Sequence, residues 1–127
     1  MILVRVWVSD IDRSVRFYEE TLGMPLASRA ENFAWAEFDT GGCRIALEEV
    51  QPETRLRLVG DEEESLLGRF VGVSLAVDDV YSTYEDLRAK DVEFVAPPER
   101  MPWGGTLAHF RDPDGNVLTL VGETGAA

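Results

Sequence analysis

Apolar and polar residues alternate from Ile2 to Val8, with Val4, Val6 and Val8 on one face and Leu3, Arg5 and Trp7 on the other. That period of two predicts a β-strand. The period then lengthens: Ile11, Val15, Tyr18 and Leu22 share one stripe of a helix that begins at Asp10 or Ile11. Asp10 is a good N-cap, Gly23 a stop, and Pro25 blocks continuation. Strands are then predicted around Phe33–Asp39 and Arg44–Glu49 across the turn Thr40-Gly41-Gly42, with a further strand near Leu56–Val59.

About 69 positions after the first strand the plan repeats. Gly72-Val73-Ser74-Leu75-Ala76-Val77 leads into Asp78-Asp79 and a helix at about Val80–Lys90, whose inner stripe is Val80, Tyr84 and Leu87. A strand at Val92–Val95 precedes Pro97-Pro98. A final hairpin joins Thr106–Phe110 to Val117–Val121 through Asp112-Pro113-Asp114-Gly115-Asn116. Each half therefore reads β-α-β-β-β. Such a unit cannot bury its apolar face alone, and halves of 55 to 60 residues are too small for separate stability. The expectation is one α+β domain over residues 1–127, with modules at about 1–59 and 69–122. Their sheets would form concave half-barrels with the helices on the outer face. Pro52 to Ser65 is the linker, and its run Asp61-Glu62-Glu63-Glu64 reads as a solvated charge cluster.

A net charge of −12 narrows the partners. Nucleic acid and anionic membrane surfaces both require basic residues, so neither is expected. The charge would draw in a cationic ligand, or serve only solubility; both readings stay open. Cys43 is the only cysteine, which excludes an internal disulfide and fits a reducing cytoplasm. The amino-terminal strand with Arg5 inside it does not read as a signal peptide, and no apolar run is long enough to span a membrane.

The order strand, Asp10-Ile11-Asp12-Arg13-Ser14-Val15-Arg16-Phe17-Tyr18, Leu22-Gly23-Met24, then Phe110-Arg111-Asp112-Pro113-Asp114-Gly115-Asn116 resembles the glyoxalase, bleomycin-resistance and dioxygenase superfamily, the vicinal oxygen chelate fold. The resemblance covers about residues 2 to 122. It implies a divalent metal held by one His or Glu from each of four strands. Those positions fall on Leu3, Ala46, Gly72 and Thr119, none of which is a strong ligand. Glu48 in place of Ala46 would rescue one of the four. With one histidine and one cysteine, a two-His site cannot form within a protomer. No metal or other cofactor is expected.

Without the metal, the pattern resembles the antibiotic-binding branch of the superfamily. Pro102-Trp103-Gly104-Gly105 looks like that branch's aromatic loop at the binding cleft. Arg5 and Trp7 project from the ligand face of the first strand, Trp35 or Phe33 from the second, and Glu37 and Glu48 would complement a cation. His109 lines the groove if Phe110 packs inward; no nucleophile–base–acid set accompanies it, so no catalytic residue is assigned. The leading reading is a cytoplasmic homodimer with clefts shared between subunits, sequestering a cationic or planar molecule, for instance a bleomycin-type antibiotic. Two alternatives stand beside it. One is a superfamily enzyme (lyase, isomerase or dioxygenase-like) acting on a small metabolite through an atypical site; the other is a ligand-sensing or interaction module.

Overall fold

The computed structural model describes residues 3–30, 34–51 and 66–122. The chain divides into two compact units, Met1–Gly68 and Arg69–Ala127. Both have the βαβββ plan, and the fold is α+β as the periodicity predicts.

In the first unit β1 (Leu3–Val8) leads to α1 (Ile11–Arg16). The Asp10 carboxylate caps the helix by accepting the Arg13 amide at 3.2 Å. The predicted helix does not run to Leu22 in α form. From Phe17 to Thr21 it widens into a π-helical turn, closed by the Leu22 amide on the Phe17 carbonyl at 2.9 Å. Gly23 then takes a φ of +74°, a left-handed angle that suits glycine.

Strand β2 (Leu26–Ala30) follows, and then the hairpin of β3 (Trp35–Asp39) and β4 (Arg44–Glu49). The sheet order is β1-β4-β3-β2, with β1 parallel to β4 and the other neighbours antiparallel. Here the structure corrects the sequence reading. A strand that the sequence reading did not assign lies before the hairpin at Leu26–Ala30, where alternation gives no sign of it. Leu-Ala-Ser-Arg-Ala is a weak strand former that gains its order from pairing with β3 and from the Arg29–Asp12 ion pair. Leu56–Val59 and Phe33 lie outside the described residues.

In the second unit β5 (Phe70–Ala76) leads to α2 (Val80–Ala89), capped by Asp79, whose Oδ1 accepts the Tyr81 and Ser82 amides at 3.0 and 3.2 Å. Strands β6 (Glu99–Arg100), β7 (Thr106–Arg111) and β8 (Val117–Gly122) complete the order β5-β8-β7-β6. The strand expected at Val92–Val95 shrinks to a bridge between Phe94 and Phe110. Helix closure takes its first residue: the Val92 amide returns to the Leu87 carbonyl at 3.0 Å, and Asp91 adopts a φ of +66° where glycine is more usual. Regular pairing resumes only after Pro97-Pro98, at β6.

Each core lies between a sheet and its own helix. Val6, Val8, Ala36, Phe38, Ile45 and Leu47 are buried in the first unit, and Tyr18 reaches Phe38 with ring centroids 5.9 Å apart. In the second, Tyr84, Phe94 and Phe110 make a chain of ring contacts at 4.7 and 5.7 Å. The expected inner residues Val80, Tyr84 and Leu87 are all buried. Strand alternation sends the remaining side chains to the face opposite the helix.

Candidate functional site

On the first sheet that face is built from two rows. Cross-strand pairing sets Trp7, Glu48 and Trp35 side by side, and beneath them Arg5, Ala46 and Glu37. Arg5 Nη1 donates to Glu48 Oε1 at 3.3 Å, while the guanidinium carbon sits 5.4 Å from the centre of the Trp7 ring. Trp35 Nε1 donates to Glu37 Oε2 at 3.0 Å, and Arg44 Nη1 donates to Glu37 Oε1 at 3.1 Å. These two donors, the indole first, hold the Glu37 carboxyl below its ordinary value. Ala46 is fully buried beneath its longer neighbours.

The second sheet repeats the row with different chemistry. Ser74, Thr119 and His109 stand where Arg5, Ala46 and Glu37 stand in the first. His109 Nδ1 and Thr119 Oγ1 are 2.7 Å apart, and the Phe70 ring meets the imidazole edge-on at 5.9 Å. Phe110 is buried and His109 faces the other way, as the alternation requires. A pocket of about 100 Å³ beside His109 is lined by Met101, Leu107 and Pro97, among others. Trp103 is 60% exposed, in keeping with its glycine-rich loop. Its indole lies on Gly105 so closely that a β-carbon there would fall 1.8 Å from Cζ3.

Five of the seven sequence-assigned residues, Arg5, Trp7, Trp35, Glu37 and Glu48, thus share one face of the first sheet. His109 and Trp103 belong to the second unit. Arg44 was missed, although the same alternation that selects Glu48 also selects it. Phe70 was missed because a strand-end phenylalanine reads as core. It is one of the exposed large hydrophobics.

Residues 2–120 match the family model of the Glyoxalase/Bleomycin resistance protein/Dioxygenase superfamily. The chain belongs to this superfamily. The uncharacterized protein YraH of Bacillus subtilis is 36% identical over 125 residues, covering 94% of this chain and 95% of its own. Lactoylglutathione lyase of Haemophilus influenzae is 29% identical over 118 residues, covering 90% and 85%. The crystal structure of TnmS3, an antibiotic binding protein from Streptomyces sp. CB03234, superposes with a TM-score of 0.71 at 30% identity, over 94% of this chain and 92% of that one.

The superfamily's divalent metal does not fit the four corresponding side chains. Ala46 is a buried methyl, and Leu3 is an aliphatic side chain. Gly72 has no side chain and sits in the irregular part of β5 with φ +70°. The Thr119 hydroxyl is engaged by His109. Glu48, the residue that a shifted register would offer, stands one row away and is held by Arg5. Among the described residues no three His, Cys, Asp or Glu converge. Among them, too, no helix is long and apolar enough to cross a membrane.

Proposed function

We propose that this protein is a small-molecule-binding member of the superfamily that holds a planar ligand without metal-dependent chemistry. The observation that carries the reading is the row Trp7–Glu48–Trp35, two indoles flanking a carboxylate on a face the helix does not cover. Indole faces stack on conjugated rings, and aromatic pairs contribute about 0.5–1.5 kcal/mol beyond area burial. Likeness to an antibiotic-binding structure at 30% identity supports the same reading. The cationic half of the expected ligand has less support, because Glu37 and Glu48 each already carry an arginine. Trp103 and His109 are proposed as ligand-contacting residues of the second unit. We also propose that both units work as one domain in a cytoplasmic homodimer; light scattering that gives a monomer at micromolar concentration rejects the dimer.

Titration with the neutral planar probe 2-naphthamide tests the binding face. Saturable tryptophan quenching is expected, weakened by Trp7→Ala or Trp35→Ala by about 1 kcal/mol or more each while the fold persists. Absence of quenching refutes the planar-ligand reading. The His109–Thr119 pair and the likeness to lactoylglutathione lyase favour a second reading, an enzyme with an atypical site. An assay for lactoylglutathione lyase activity separates the two: turnover that disappears in His109→Ala supports the enzyme.

A further inference from the structure

We propose that the ligand's planar ring carries an acidic group, a carboxylate, enolate or phenolate, and that Arg5 selects it; this rests on the planar-ligand reading above. Three features of the first sheet carry the inference.

The carboxylates are already occupied. Glu37 accepts both the Trp35 indole and Arg44, and Glu48 accepts Arg5. A cationic ligand would have to displace a donor to reach Glu37, both of whose oxygens are engaged, and at Glu48 it would meet a charge already paired with Arg5 through Oε1. Arg5 also lies over Trp7, where a bound cation would lie. The protein's own side chain fills the cation site.

Exposure favours the arginines. Arg5 is 49% exposed against 28% for Glu48, and Arg44 is 36% exposed against 20% for Glu37. A guanidinium is a planar fork of donors with no acceptor, suited to bidentate contact with a carboxylate. Each arginine is bonded to its glutamate through Nη1, which leaves the rest of the fork for an incoming acid. An acidic ring at this face could therefore meet Arg5 without breaking either ion pair.

Several of the described acidic residues of the first unit stand away from this face. Asp12, Glu19 and Glu20 are exposed on α1 and its π-helical turn, which pack on the other side of the sheet. Asp39, at the end of β3, turns its carboxylate to the Gly41 amide at 2.9 Å. At 0.1 M salt, charges more than about 10 Å away are largely screened.

Calorimetric titration with 2-naphthoate, 2-naphthamide and 2-naphthylmethylammonium tests the proposal, with affinity as the readout. Naphthoate is expected to bind most tightly and to weaken as salt rises. Arg5→Gln should lower its affinity about tenfold, since hydrogen bonds to charged groups are the stronger kind. Naphthamide binding should change by less than about threefold in the same variant. Arg5→Lys, which keeps the charge and loses the fork, should fall between. Arg88→Gln on α2, at the far side of the other sheet's core, should match the unaltered protein. Equal binding of all three probes, preference for the ammonium, or equal losses in Arg5→Gln and Arg88→Gln overturns the selection of an acid; naphthamide binding then leaves the planar-ligand reading standing. If none of the three binds, the planar-ligand reading falls and takes this proposal with it.

Discussion

Trp35 and Glu37 stand two positions apart on β3, and the indole N–H of the first donates to the carboxylate of the second at 3.0 Å. The bond draws an aromatic ring and a charge onto the same face, and with Arg44 it keeps Glu37 ionised below the ordinary range.

The acid limb of stability should carry this signature. A carboxyl whose folded pKa is lowered contributes stability that is full above its unfolded value, near the ordinary 4.5, and is lost as pH falls through the folded value. The melting-temperature gap between the unaltered protein and Glu37→Gln should be widest near neutral pH and narrow as pH falls below the ordinary 4.5. A constant gap contradicts the assignment.

His109 is the chain's only histidine, so one imidazole spin system reports its state. Thr119→Val removes the hydroxyl 2.7 Å from Nδ1. The ring nitrogen shifts should move as the tautomer preference relaxes, and stability should drop by about 0.5–1.5 kcal/mol. Unchanged shifts would mean that the contact does not form in solution.

Gly105→Ala should eject the Trp103 ring from its seat, because the new methyl would occupy the ring's position. The ring is already mostly exposed, so the change in stability should stay within about 0.5 kcal/mol. Tryptophan emission should shift to the red. Loss of the fold would show that the loop supports the core.

Asp79→Ala strips the cap from α2 and leaves the Tyr81 and Ser82 amides without their shared acceptor. Urea denaturation should report a loss of about 1 kcal/mol, with Asp79→Asn close to the unaltered protein. Equal losses in both would point to the charge at the helix start instead of the hydrogen bond.

Strand alternation, helix caps and the repeat were legible in the residues because each is a local property. Val4, Val6 and Val8 separate from Arg5 and Trp7 by parity alone, and Asp10 and Asp79 open their helices as the capping rules require. The lack of strong ligands at Leu3, Ala46, Gly72 and Thr119 could be read in the same way, since three of these side chains have no donor atom and a threonine hydroxyl is at best a weak one. Tertiary pairing decided the rest. Leu26–Ala30 becomes a strand because β3 offers it a partner, and Val92–Val95 loses most of its strand because Val92 closes the helix before it. Glu37 and Glu48 looked like free charges for a cation until the sheet register brought Arg44 and Arg5 beside them. Residues 43 positions apart, such as Arg5 and Glu48, meet only when the chain has folded, and that meeting determines what charge the face presents.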